Sequence, residues 1–342
     1  NMIELQSAIT IYLVIIATTI NAQVAGLYDS YPIDGYTELS VKKATEFAER
    51  KLIVATLDYD EDIVKKLDKN KDPEKLSTYK STIKEFNADI KEMVDSLWTL
   101  NKSVKYMSYE DIQDIKGDDK SQYVVIIMVR LHEKPTPGTS NDKTVETSYD
   151  ITFDKAGFGG DQKTNQIRST NSHFTLMRVC LLENLKFPNQ MTIPMGHVVP
   201  QPADIAFGLT YMDWYIRSKM ADVSDKDMVT QINESCKELA TLTLLISEED
   251  AKDDDIMGKG NKTYPFKSQI VTKEELEAHI LAKTPDYAYV NYGHNSACAV
   301  KVENRTLLRV PKPSEVTLIS TETTIAKMGI SVQKLIEKGE EE

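Results

Sequence analysis

SYEDIQDIKGDDKSQYVVIIMV, residues 108–129, reads as a capped short helix running into a buried strand. Ser108 offers a hydroxyl at the N-cap and Asp111 an acid at the third helical position, the pattern of a capping box. Tyr123 to Val129 is short, apolar and β-branched, which suits a central strand covered on both faces. The same order returns without a gap at residues 272–287, TKEELEAHILAKTPDY, where Ser108 maps onto Thr272 and Tyr123 onto Tyr287 at an offset of 164. Thr272 with Glu275 repeats the cap, so both helices are expected to begin at the same structural place.

Working outward, VKKATEFAERKLIVATLDYDED (41–62) aligns with VTQINESCKELATLTLLISEED (229–250) at an offset of 188. Val41/Val229, Glu46/Glu234, Leu57/Leu245, Glu61/Glu249 and Asp62/Asp250 coincide. The two offsets differ by 24 residues, the extra segment that the first copy carries between its first two strands. TLMRV (175–179) then matches TLLRV (306–310), and DIAFGLTYMDWYI (204–216) matches TIAKMGISVQKLI (324–336) in apolar phase. Blocks that recur in one order are the signature of an internal duplication.

The expected fold class is therefore α/β (α+β), with two pseudo-repeated modules, each a mixed sheet flanked by helices. The boundaries are a signal peptide at 1–22, an extended segment at 23–40, a first module at 41–221 and a shorter second module at 222–342. A chain of 342 residues, 41% of them hydrophobic, is long enough for two ordinary cores. Within the first module LIVATL (52–57) reads as a buried strand. Ile83, Phe86, Ile90, Met93 and Leu97 recur at helical spacing, with Trp98 anchoring the end of that helix. SYDITF (148–153) and TLMRV read as antiparallel strands.

The balance of 41 basic and 53 acidic residues, a net charge of −12, disfavours a nucleic-acid partner. Ile9 to Ile20 is an apolar run of signal-peptide length, too short to span a bilayer comfortably, with Ala22 and Gln23 at the cleavage position. The expected location is periplasmic or extracellular, with no transmembrane segment once the signal is removed. Cys180, Cys236 and Cys298 lie in apolar periodic sequence and read as small buried side chains.

The order helix, strand, helix, strand, capped helix, strand, antiparallel strands and closing helix resembles the periplasmic α/β module of the curli-secretion (CsgG-like) and TolB amino-terminal proteins. LIVATLD, SYEDIQDI with YVVIIMV, TLMRV and IAFGLTYMDWYI carry the resemblance. It implies an envelope protein that binds proteins, peptides or cell-wall components. The polar loop at 157–172 lacks the alternating segments of the curli channel, so pore formation is not implied.

No catalytic residue and no cofactor are expected. The acidic turns after each first strand, with Asp58, Asp60 and Asp62 in one and Glu249 and Asp250 in the other, supply oxygen ligands of the kind Ca²⁺ takes, but without EF-hand spacing. A solvated strand-end turn is the preferred reading. Tyr28, Tyr31 and Tyr36 beside Pro32, and Trp214 on the closing helix, are the candidate partner contacts, Trp214 at the seam between modules. His294 and Cys298 are close in sequence only, and His132, His173, His197 and His279 read as scattered surface or loop residues.

The functional expectation is an exported, non-enzymatic envelope scaffold or binding component with a protein or cell-envelope partner. A secreted hydrolase or metal-dependent enzyme with its site between the modules is the alternative, and it calls for a pocket gathering Asp58, Asp60, His294 or Cys298. Head-to-tail self-association into a homo-oligomer is the third reading.

Overall fold

The computed structural model describes residues 39–135, 143–148, 173–185, 191–248, 264–293, 296–305, 307–309 and 333. Its first half runs α1 (Val41–Glu49), β1 (Lys51–Thr56), α2 (Glu61–Lys69), α3 (Pro73–Leu97), β2 (Val104–Ser108), α4 (Tyr109–Asp114), β3 (Tyr123–Pro135), β4 (Lys143–Ser148), β5 (His173–Leu181), β6 (Met191–Pro194) and α5 (Pro202–Met220). The second half runs α6 (Asp225–Glu234), β7 (Thr243–Ser247), β8 (Ser268–Val271), α7 (Lys273–Ala282), β9 (Tyr287–Gly293), β10 (Ser296–Lys301) and β11 (Leu307–Arg309).

The chain forms an α/β fold with two mixed sheets. The first has the order β2-β1-β3-β5-β6, with β4 beside the outer half of β3, and the second has the order β8-β7-β9-β10-β11. In both, the first two neighbour pairs are parallel and the last two antiparallel. The pairings coincide residue by residue: Leu52 stands beside Val104 and Leu244 beside Ser268, while Lys51 stands beside Tyr123 and Thr243 beside Tyr287. Ser108 and Thr272 cap their helices by accepting the N–H of Asp111 and Glu275, and the reciprocal bond that completes a capping box is made by Glu275 to the N–H of Thr272.

This register corrects two of the sequence alignments. Leu52 corresponds to Leu244, an offset of 192 rather than 188, because a 3₁₀ turn at Ser235–Ala240 separates α6 from β7 while α1 runs almost directly into β1. Against the constant 164 of the next strand, the extra segment of the first half is 28 residues, and α2 and α3 lie in it. TLMRV and TLLRV are not equivalent either. The former belongs to β5, whose partner in the second sheet is β10, whereas Leu307–Arg309 is the edge strand β11 in the place of β6. Alternating apolar residues on neighbouring antiparallel strands look alike, so a one-strand slip leaves the pattern intact. The expected strand 148–153 coincides with β4 only at Ser148, and its remainder lies outside the described residues, as does most of 324–336.

The two halves do not keep separate cores. One cluster runs from Leu52, Val54, Val124, Ile126, Met177 and Val179 through α5 to Leu245, Ile280, Tyr289 and Val300. Helix α5 lies at its centre, with buried residues from Ile205 to Ile216 on every side, as a helix covered all round requires. The outer faces hold smaller clusters, around Ile53, Val125, Ile127 and Cys180 on one sheet and Leu244, Ile246, Ala288 and Val290 on the other. Equivalent positions therefore face opposite ways. Leu52 lies in the shared core while its counterpart Leu244 lies outside, and Val125 lies outside while Tyr289 points inward. The sheets stack in the same sense around α5 rather than back to back about a two-fold axis.

Buried amides fix the first half. The Asn101 carboxamide donates to Phe47 O at 2.6 Å and Arg50 O at 2.8 Å, and it accepts the Trp98 indole N–H at 2.7 Å, tying the carbonyl end of α1 to the end of α3. Asn87 pairs with both the N–H and the carbonyl of Leu57 just past β1. Asn101→Ala strands these groups and should cost about 2–3 kcal/mol in urea denaturation. At Gly208 on α5, an added Cβ would come within 2.9 Å of Met177 Cε and 3.1 Å of Met195 Cε. Gly208→Val should cost about 1–3 kcal/mol. Gly208→Ala, which gains helix propensity while displacing only flexible methionine ends, should stay within about 1 kcal/mol of wild type.

Candidate functional site

The buried start of α5 creates the polar chemistry of the seam. The first turn of a helix leaves backbone N–H groups without helical partners, and here it is packed against the second sheet. Pro202 at the first position removes one donor, and Asp204 at the third accepts the N–H of Gln201 at 3.0 Å. Glu277, reaching across from α7, takes the N–H of Ala203. The seam is thus held by a carboxylate of the second half capping a helix of the first.

His197 lies in the connection between β6 and α5. Its Nδ1 is 2.7 Å from Asp204 Oδ2, and both side chains are largely buried, with 13% and 8% of their surface exposed. With the carboxylate as acceptor, Nδ1 carries the hydrogen and the neutral ring presents a lone pair at Nε2. Nε2 is buried without a protein partner, and so are Glu277 Oε1 and the Tyr289 hydroxyl.

These three atoms belong to residues lining one cavity of about 50 Å³, whose walls come from both halves of the chain. Leu276, Ile280 and Val290 provide apolar wall, while Lys273, Ser247 and Asn291 add polar groups. Ser247 ends β7 and Lys273 opens the helix after β8. The cavity therefore sits beyond the carboxyl ends of the parallel strands, where open α/β sheets commonly place ligands. A volume of this size holds a few waters or one small head group and excludes a nucleotide.

Burial raises the Glu277 carboxyl above the ordinary glutamate range, and the nearby Asp204 adds to the rise, while the Ala203 N–H, Lys273 and His197 oppose it. Burial likewise raises the Tyr289 phenol, so it stays protonated and can donate as well as accept. Behind this ring Arg305, 5% exposed, donates from Nη2 to Ile280 O at 3.1 Å, holding the end of α7.

Of the residues singled out in the sequence, those described lie elsewhere. Asp60 is the N-cap of α2, its Oδ1 accepting the N–H groups of Asp62 and Ile63, and Asp58 and Asp62 are exposed beside it. Glu249, Asp250, Tyr28, Tyr31, Tyr36 and His294 lie outside the described residues. Cys298 falls on β10, and its side chain is not among those described. Cys180 and Cys236 are buried, with desolvation pushing the Cys180 thiol up to about 12. Trp214 packs against the shared core, its ring 5.9 Å from that of Tyr211, and does not line the cavity.

Among the histidines, His132 and His173 stand opposite each other on β3 and β5, and His279 bonds Thr284 at the end of α7. His197 does lie in a loop, as one half of the surface-or-loop reading has it, but it is largely buried there. The available signal was VVPQPAD, where a proline at the first helical position and an acid at the third mark a helix start. Glu277 and Tyr289 carried no local signal, since their role exists only across the seam.

A glutamate raised in the folded state binds its proton more tightly there than in the unfolded chain. Stability should therefore fall as pH rises from about 4.5 through the raised value. Glu277→Gln keeps an acceptor for Ala203 and removes the titration. It should flatten this part of the pH profile and raise the melting temperature at neutral pH by about 1–3 °C, as read by circular dichroism. Comparison with known proteins finds no matching family model, curated protein or solved structure.

Proposed function

We propose that the protein is a binding component of the cell envelope, exported by the apolar run at Ile9 to Ile20, and that the seam cavity is its recognition site. One observation carries the reading: polar atoms of His197, Glu277 and Tyr289, contributed by both halves of the chain, are buried without partners around a single cavity. Buried polar groups left unmatched cost about 1–3 kcal/mol each, so three of them on residues lining one cavity support a place prepared for something that matches them. The resemblance to CsgG-like and TolB amino-terminal modules, and the descent of both halves from one duplicated unit, belong to the same proposal. The like strand orders support it. Among the described residues no helix is long and apolar enough to cross a membrane.

The alternative of an enzyme working in the seam draws on the His197–Asp204 pair. A carboxylate-oriented imidazole with an open Nε2 is the geometry of a general base. Among the described residues no cysteine lines the cavity.

Tyr289→Phe separates binding from mere structure. Removing an unpartnered hydroxyl should leave the free protein as stable as wild type or raise its melting point by about 1–3 °C. A ligand screen by thermal shift over small amines, carboxylates, diols and sugars should yield a stabilisation of wild type that Tyr289→Phe and Glu277→Gln both diminish. A screen in which no class stabilises wild type would overturn the seam as a recognition site. Chemical conversion of a bound probe, lost in His197→Ala, would favour the enzyme. Recovery of the native protein from the envelope fraction beginning at Gln23 tests export.

A further inference from the structure

The three buried atoms also specify a ligand chemistry, given the reading of the seam as a recognition site. Glu277 Oε1 can only accept when ionised, His197 Nε2 accepts in the neutral ring, and the Tyr289 hydroxyl accepts through a lone pair. A primary ammonium carries three donors and no acceptor, which complements them one to one. The cavity lining contains Asp204 and Glu277 against Lys273, an excess of acid before the histidine is counted. Leu276, Ile280 and Val290 offer apolar wall to an alkyl stem behind such a head. An anion finds the reverse, because the donors that a buried helix start would offer it are already taken: the N–H of Gln201 by Asp204 and that of Ala203 by Glu277. Tyr289 is 4% exposed, so its unmatched hydroxyl is an interior group rather than a surface accident.

We infer that the seam cavity binds the head of a primary alkylammonium, with Glu277, His197 and Tyr289 as its three acceptors. Free amines and lysine side chains share this chemistry, and the cavity volume admits the head and first methylenes of either.

Isothermal titration of the full chain at pH 7.5 with n-propylammonium chloride, tetramethylammonium chloride and N-acetyl-lysine amide tests the inference. The n-propylammonium ion should bind, and tetramethylammonium, with the same charge and no N–H, should bind on the order of 10-fold more weakly or not at all. Glu277→Gln should lose on the order of 10-fold in affinity for n-propylammonium, and Tyr289→Phe a smaller factor, with both variants folded by circular dichroism. N-acetyl-lysine amide binding at least as tightly as n-propylammonium points to a lysine side chain as the source, and weaker binding points to a free amine. Equal affinity for tetramethylammonium and n-propylammonium, or indifference to Glu277→Gln, overturns the inference. If carboxylates or diols stabilise wild type through Tyr289 while n-propylammonium does not bind, the ammonium assignment fails and the recognition site stands. If nothing binds, both fail.

Discussion

The structure depends on one constraint, the burial of α5 among α1, α3 and α7 and between the two sheets. A helix with apolar side chains on every side is stable only when covered all round, and here the neighbouring helices α1, α3 and α7 supply cover that a sheet on either side cannot. Close approach is achieved with Gly208 against Met177 and Met195. Covering the sides also encloses the helix start, and its amide donors must then find acceptors inside the protein. Asp204 meets this demand locally and Glu277 from the other half. At the far end, buried Lys219 pairs with Asp225 at 3.2 Å, and the Tyr215 hydroxyl joins the same carboxylate at 3.0 Å. Both ends of the central helix are thus closed by polar contacts, and the cavity is at the end where those contacts leave lone pairs over.

The stacking of the sheets explains why their likeness is faint in sequence. Had the halves met about a two-fold axis, equivalent positions would share an environment and similar residues would suit them. They meet instead with opposite faces, so position by position the two halves answer to different surroundings. Val125 is enclosed in an outer cluster beneath α4, while Tyr289 in the equivalent place projects a phenol into the seam. What the halves share is backbone: strand order, strand direction, pairing register and the hydroxyl caps at Ser108 and Thr272.

That division also sets what could be read from the chain. Local chemistry was legible, because a capping hydroxyl, an apolar run such as YVVIIMV and the periodicity of Ile83, Phe86 and Ile90 act within a few residues of themselves. Register was legible only in part. An insertion hidden between a helix and a strand shifted one offset by a turn, and the alternation in β5 served equally well for its neighbour. The acidic turn after β1 was correctly placed, but Asp60 proved to be spent on a helix cap. Asp204, Glu277 and Tyr289 lie on three separate elements, and none has a role until the second sheet closes over α5. The amphipathic reading of 204–216 noted the apolar positions and passed over the acid that begins the helix.

The balance of energies gives the seam its meaning. A protein of this kind is held by a net stability of about 5–15 kcal/mol. Three buried atoms without partners, at about 1–3 kcal/mol each, are a large fraction of that margin. Waters can fill a cavity of about 50 Å³ and offset part of the cost. A mutation to Phe at 289 would remove one of the three while preserving shape. An arrangement that is costly when empty is what the proposed recognition site requires, because binding groups of that kind are kept at the expense of stability. The carboxylates alone do not carry this argument, since a buried helix start accounts for them. The hydroxyl of Tyr289 does, because neither the fold nor the cap has any use for it.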